Sequence, residues 1–337
     1  MINLFSKLLD KHNEIDLSEM RYPGFHKKRA KEIELCVKNV ANGKGWRDIQ
    51  QCPLCNTQRR KILFTRFDIN IVQCENCSLG YAQKFPIDVS DIYSHKEYLK
   101  IAKSDYLDNV EYRMHRFGRE RLEIIMKHIS LPHKKARILD IGCGTGWFLE
   151  AAKEAGFQVF GQEFGKDLSA FTAQRLGIKV WSVPLTEISL SEKFDVITLF
   201  DVLEHVSNPK EVIYGIKNHL STNGIAIIFT PNLESLAFWK LKEQSSLVMP
   251  VEHLFYYTGK SLRMIFDQVG LAVIEFQTKG MDIPDLYSFY SEVMENNHIA
   301  EFLKENCSVL QAIVNEAKYA NHMRFILKAK TLECKLQ

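Results

Sequence analysis

The sequence predicts an open α/β fold with a mostly parallel sheet, preceded by a small cysteine ribbon and interrupted near its end by extra helices. Three observations carry this expectation. Between residues 137 and 278 short apolar runs alternate with stretches of helical spacing, the pattern of strands covered by crossover helices. Gly142, Gly144 and Gly146 separate the first such run from its helix. Upstream, two C-x-x-C pairs stand eighteen residues apart, with strand-like segments between them.

Length and composition set the frame. A chain of 337 residues suits one large α/β unit with additions. Hydrophobic content of 46% and charged content of 25% are those of an ordinary globular protein, and a formal net charge of +3 is too small to argue for nucleic acid. The sequence has no apolar run of membrane-spanning length and no signal-peptide pattern; its first residues read as a short amphipathic helix. Of eight cysteines, four form the paired motifs and Cys36, Cys143, Cys307 and Cys334 are scattered. That usage predicts a reducing, cytoplasmic setting.

Residues 1–50 are expected to form an N-terminal helical arm, with the basic run Lys27, Lys28, Arg29 and Lys31 on a solvated face. Residues 51–80 read as a ribbon carrying Cys52, Cys55, Cys74 and Cys77, with strands at Lys61–Thr65 and Asn70–Gln73. Two knuckles at this separation fit a four-thiolate tetrahedral zinc site that leaves no position open for water or substrate. Its expected role is structural, because so few residues cannot build a core and metal binding supplies folding energy. A redox C-x-x-C needs only one motif and does not account for two.

Residues 81–130 form an aromatic linker, with Tyr81, Phe85, Tyr93, Tyr98, Tyr106 and Tyr112. Met114, Phe117, Arg121, Leu122, Ile125 and Ile129 recur at helical spacing and stop before Pro132. From 131 to 337 the main domain follows. Ile138–Ile141 is its first strand and Trp147 opens its first helix, with Phe148, Ala151, Ala152 and Ala155 on one face. Further strands are expected at Gln158–Gly161, Lys179–Trp181, Phe194–Phe200, Ile225–Phe229 and Leu271–Thr278. Helices are expected at Asp167–Leu176, from Asn208-Pro209-x-Glu211 onward, and at 260–269. Residues 281–320 are a helical insertion before the last strand at His322–Ala329, forming a lid or a homo-oligomer contact.

The glycine turn differs from a dinucleotide fingerprint. Its spacing is Asp140-x-Gly142-x-Gly144-x-Gly146, with a carboxylate at the strand tip that would repel a pyrophosphate. S-adenosylmethionine (SAM) carries a sulfonium and an ammonium instead, and an acid suits both. Glu163 ends the next strand twenty-three positions after Asp140, where an open α/β sheet offers an acid to ribose hydroxyls.

On these residues the segment 137–278 resembles the class I SAM-dependent methyltransferases, which have a Rossmann-like seven-stranded sheet. It is similar to the branch holding ubiquinone-biosynthesis O-methyltransferases and bacterial sugar methyltransferases. The matching pieces are ILDIGCGTG (138–146), VFGQEF (159–164), FDVITLFDVLEHVSNP (194–209), GIAIIFTPN (224–232) and, more loosely, MPVEHLFYYT (249–258). The resemblance implies that Asp140, Gly142, Cys143, Gly144, Gly146, Trp147, Glu163, Phe164, Asp201 and Val202 surround SAM. It also implies that the segment before the first strand folds over the cofactor, where Tyr98 or Tyr106 would touch SAM or substrate.

Two histidines compete as general base. His205 follows the fourth strand beside the cofactor's sulfur end, and His253 lies on the loop after the fifth strand, with Glu252 as a candidate orienting partner. His253 is the preferred base, and a hydrogen-bonded structural histidine is the plainer reading of either. Asp201-Val202-Leu203-Glu204 is not the Asn/Asp-Pro-Pro-aromatic box of amine-directed nucleic acid methyltransferases, and no Pro-Cys nucleophile follows. The acceptor is therefore expected to be a small molecule, a sugar or sugar-nucleotide hydroxyl. One alternative is an RNA methyltransferase gripping RNA through Arg59, Arg60 and Lys61 of the ribbon; another is a SAM-binding protein without turnover.

Overall fold

The computed structural model describes residues 24–88 and 110–330. The amphipathic N-terminus, Tyr93, Tyr98, Tyr106 and Cys334 lie outside the described residues. Along the chain come helix α1 (Phe25–Asn42) and strands β1 (Trp46–Asp48), β2 (Arg60–Arg66), β3 (Ile69–Cys74), β4 (Gly80–Ala82) and β5 (Lys84–Pro86). A π-helical turn, Met114–Gly118, leads into α2 (Arg119–His128). Next are β6 (Arg137–Ile141), α3 (Trp147–Glu154), β7 (Gln158–Gln162), α4 (Lys166–Leu176), β8 (Val180–Trp181), β9 (Phe194–Phe200), α5 (Pro209–His219) and β10 (Leu220–Pro231). The remainder is α6 (Leu236–Leu241), β11 (Phe255–Tyr256), α7 (Gly259–Val269), β12 (Leu271–Thr278), α8 (Asp282–Glu292), α9 (Asn297–Glu305), α10 (Cys307–Glu316) and β13 (His322–Ala329).

The main sheet has seven strands in the order β12-β13-β10-β9-β6-β7-β8. Its centre is parallel: β6 pairs with both β7 and β9, and β9 with β10. Strands buried on two faces must be apolar on both, and Ile138, Leu139, Val196, Ile197 and Leu199 are all buried. The register sets Asp140 opposite Gly161 on one side and Thr198 on the other. Helix α5 begins as its sequence demands, with Asn208 accepting the Glu211 amide at 3.4 Å and Pro209 in the first helical position. Strand β10 runs longer than its apolar stretch, and a register shift lies between Leu220 and Ile225.

Two compact units emerge. One contains the described parts of Val89–Phe229 and Phe325–Gln337 together with Arg263–Phe276. Its core gathers α2, α3 and the central strands through Ile125, Ile138, Phe148, Leu149, Val196 and Ile227. The other contains the described part of Met1–Asp88 with Thr230–Leu262 and Gln277–Arg324.

In this second unit the ribbon does not stand alone. β2, β3 and β4 form an antiparallel sheet that β11 extends, pairing Phe255 with Tyr81 and Tyr256 with Gly80. Phe85 packs edge-on against Phe255, with ring centroids 5.3 Å apart. The inserted helices share a core with α6 through Ala237, Leu241, Ile283, Leu286, Leu303 and Val314. Buried Asp282 ties them together, accepting the Ala237 amide at 3.0 Å and the Asn321 amide at 2.7 Å. The basic run on α1 departs from a solvated face at Arg29. Its side chain is partly buried, 3.1 Å from Glu32 and 3.5 Å from Glu252, because the helix packs that face inward.

Candidate functional site

The loop between β6 and α3 is a cradle of backbone. Gly142, Gly144 and Gly146 all have positive φ, which side chains rarely adopt. A Cβ on Gly142 would meet a Val202 methyl at 2.4 Å, so the loop and the turn after β9 close against each other. A Cβ on Gly144 would meet nothing within 4 Å and would project into open space. Side chains of α4 fix the loop from behind: Thr172 donates to the Gly144 carbonyl at 2.7 Å and Arg175 to the Thr145 carbonyl at 2.8 Å.

Two acids face this cradle. Asp140 is buried and accepts a hydrogen bond from the Thr198 hydroxyl at 2.6 Å. Burial pushes its carboxyl up to about 7, opposed by the Thr198 bond and the Arg121 charge and reinforced by Glu163. Glu163 accepts the Gly144 amide at 3.1 Å through one oxygen and the Gly165 amide at 2.9 Å through the other. Burial raises its carboxyl too, against those amides. A carboxylate has about four lone-pair directions, so acceptor capacity remains on both oxygens for two ribose hydroxyls.

The other expected cofactor residues border the same loop. Asp201 takes a left-handed conformation, φ 56°, and donates its amide to the Phe229 carbonyl at 2.9 Å. Cys143 is buried within the loop, whereas Phe164 is 58% exposed beside Glu163. Trp147 opens α3 with the Arg121 guanidinium 4.6 Å from its ring centre. The same guanidinium lies 3.8 Å from the Phe200 ring centre. The donor set fits SAM: an acid for the cationic head, an acid for the ribose, and bare backbone between them.

Sequence reasoning missed Thr198, Arg121 and the α4 clamp. A single hydroxyl inside the apolar run Phe194–Phe200 was the available signal for Thr198. Arg121 and Arg175 carried none, because each acts through tertiary contacts that helical spacing does not encode.

In the other unit the four ribbon cysteines converge. Their sulfur atoms all lie within 4.8 Å of one another, with Cys52–Cys77 and Cys55–Cys74 each at 3.5 Å. Ligands about 2.3 Å from a tetrahedral zinc are separated by roughly this distance, so the thiols fit that ion.

The same unit carries His253, which is buried. Its Nδ1 lies 2.8 Å from the Leu247 carbonyl oxygen. A carbonyl only accepts, so Nδ1 donates this bond. The orienting bond on His253 thus comes from backbone, while the Glu252 carboxylate faces Arg29 at 3.5 Å. His205 belongs to the first unit, with Nε2 3.9 Å from Glu204, beyond hydrogen-bond distance.

Known proteins resemble the chain over this same region. A family model for a methyltransferase domain matches residues 110–276. Ubiquinone biosynthesis O-methyltransferase of Rickettsia typhi is 30% identical over 152 residues, 42% of this chain and 62% of that protein. The enzyme of that name from Stutzerimonas stutzeri is 33% identical over 132 residues, 37% of this chain and 56% of its own length. The chain thus spans about three fifths or less of these relatives. Among solved structures, a SAM-dependent methyltransferase and possible histamine N-methyltransferase from Thermotoga maritima is 18% identical, with a TM-score of 0.47, covering 72% of this chain and 100% of that one. A SAM-dependent methyltransferase from Archaeoglobus fulgidus is 17% identical, with a TM-score of 0.44, covering 66% and 98%. Residues 110–276 thus match a methyltransferase domain, and within them the glycine cradle is flanked by Asp140 and Glu163.

Proposed function

We propose that this chain transfers the methyl group of SAM to a hydroxyl oxygen of a small molecule, a sugar or sugar nucleotide being the acceptor class to test first. The observation that carries the reading is the cradle itself, a Gly144 backbone open to space with Glu163 clasping its amide and Asp140 beside it. The relatives' names specify an oxygen acceptor, which supports O-methylation. Within the ribbon, Arg59 pairs with Glu75 at 3.3 Å and Arg60 with the Ile49 carbonyl at 2.6 Å. Glu75 offsets the Arg59 charge and Arg60 is tied to backbone, which weakens a basic stripe here and favours a small acceptor over RNA.

When bound, SAM supplies an electrophilic methyl group on a sulfonium. Asp140 would hold the ammonium head and Glu163 the ribose hydroxyls, and Gly142–Trp147 would contact the ligand by backbone. Phe164 would cover the adenine side, with Cys143, Asp201 and Val202 completing the wall. The acceptor oxygen would displace the sulfide in line, its C–O bond forming as the C–S bond breaks, and His253 would take the hydroxyl proton. Zinc on Cys52, Cys55, Cys74 and Cys77 would be structural. The helices 281–320 would serve as lid or subunit contact, their Met294 and Phe302 each 57% exposed.

Purified protein incubated with methyl-labelled SAM, sugars, sugar nucleotides and total RNA tests the proposal. It predicts label in an alkali-stable methyl ether on a sugar. Label confined to RNA would overturn the acceptor class, and no transfer from SAM to any acceptor class would leave binding without turnover.

A further inference from the structure

The unit that holds the ribbon contains a cavity of about 260 Å³ between α1, the β2–β3 hairpin, the segment after α6 and the end of α8. At its wall lies Arg66, the last residue of β2. Its Nη1 donates to the Ser245 carbonyl at 2.8 Å and the Val248 carbonyl at 2.5 Å. That leaves Nη2 and Nε as donors without a carboxylate partner among the described residues. Burial pulls this guanidinium's pKa down, with the Arg29 charge adding to the effect and Tyr256 and Glu243 opposing it. A partly buried guanidinium with donors to spare is a ready partner for an oxyanion in the cavity.

The hairpin that presents Arg66 is itself constrained. Its two turn residues, Phe67 and Asp68, both have positive φ, at 50° and 58°. A two-residue hairpin loop needs positive φ at both positions, and here it fixes where Arg66 leaves β2. Lys27 on α1 also lines the cavity, is exposed, and makes no ion pair among the described residues.

The rest of the wall is not simply basic. Gln244 and Ser246 offer neutral polar groups, Phe289 offers an apolar face, and Glu292 and Glu295 bring carboxylates. Glu292 accepts the Gly24 amide at 3.1 Å. A bare inorganic anion would use only the Arg66 side of such a wall. A hydroxylated anion uses all of it: oxyanion on the guanidinium fork, hydroxyls on the amide and carboxylates, and a C–H face on the phenyl ring. The volume falls just below the roughly 300–1,000 Å³ of drug-sized pockets, which suits a single ring bearing a charge.

We propose that this cavity binds a small hydroxylated oxyanion, a sugar phosphate or sugar carboxylate, with Arg66 and Lys27 as its anion-binding groups. The inference takes its sugar probes from the acceptor class proposed above, and it is read without SAM or turnover, so the two ideas fail separately.

The test is titration calorimetry of the full chain with glucose 1-phosphate, glucuronate, glucose and inorganic phosphate. One or both charged sugars should bind, at least tenfold more tightly than glucose, and the stronger of the two identifies the anion. Lys27→Glu, a change at an exposed side chain, should weaken that binding at least tenfold while the thermal unfolding midpoint stays put. Arg66→Lys keeps the charge but loses the fork, and should weaken it as well. The proposal is overturned if neither charged sugar binds at millimolar concentration. It is equally overturned if binding occurs but Lys27→Glu and a folded Arg66→Lys protein leave it unchanged.

Discussion

Gly142 and Gly144 stand two residues apart and need to be glycine for different reasons. At Gly142 the space is taken by Val202, so Gly142→Ala should destabilise the protein through a collision at 2.4 Å. At Gly144 the space is open, so a side chain costs backbone strain and then intrudes on whatever lies above the loop. Gly144→Val should therefore weaken SAM binding at least tenfold, with Gly144→Ala as the control for strain. Calorimetry that finds unchanged SAM affinity in folded Gly144→Val protein would remove SAM from this loop. Asp140 adds a pH dependence. With its carboxyl at about 7 in the free protein, the ionised form that suits an ammonium dominates only above neutrality. SAM affinity should then rise about tenfold per pH unit below 7 and level off above it, until the ligand's own amine deprotonates near 8. For the protein without ligand the sign is opposite: a raised acid contributes stability at low pH that is lost as pH rises from about 4 to about 7. Asp140→Asn should flatten the affinity profile; a profile already flat in the wild type would refute this assignment.

At the scale of elements, the ribbon and the loop 249–258 form one sheet through β4 and β11. A metal that folds the ribbon would then also hold the loop that carries Glu252 and His253. Cys55→Ser should lower zinc content and the unfolding temperature together and reduce methyl transfer, with SAM affinity retained by the other unit. Elemental analysis finding no zinc in freshly purified wild-type protein, never exposed to chelator, would defeat this. The same sheet shows where sequence reading stops. The knuckles, the central strands Ile138–Ile141 and Phe194–Phe200, and the Asn208–Pro209 helix start were legible because spacing, two-faced burial and capping are local rules. The β4–β11 pairing joins residues about 175 positions apart, and no local rule connects them. Arg29 was misplaced for the same reason. A basic run looks solvated until Glu252, far along the chain, arrives beside it.

At the scale of the whole molecule, the candidate base and the candidate cofactor loop belong to different compact units, and that separation gives catalysis a clean test. His253 sits with the ribbon, the segment after β10 and the inserted helices, while Asp140–Gly146 and His205 sit with the central strands. A base removed from the ribbon unit should slow transfer without disturbing SAM. His253→Ala is expected to lower kcat by roughly 10²–10⁴-fold, the usual contribution of a positioned base, with SAM affinity within about twofold of wild type. Because the Leu247 carbonyl fixes the ring by Nδ1, His253→Gln can keep a hydrogen bond to that carbonyl and still lack a basic nitrogen. It should be as slow as the alanine variant, and added imidazole should restore part of the rate in alanine, where a space has been opened. His205→Ala is the control, expected to weaken SAM binding more than it slows saturated turnover. If His253→Ala turns over at near wild-type rate while His205→Ala is slow with SAM affinity intact, the base is His205. If both retain the rate, proximity and the sulfonium's own reactivity carry the reaction.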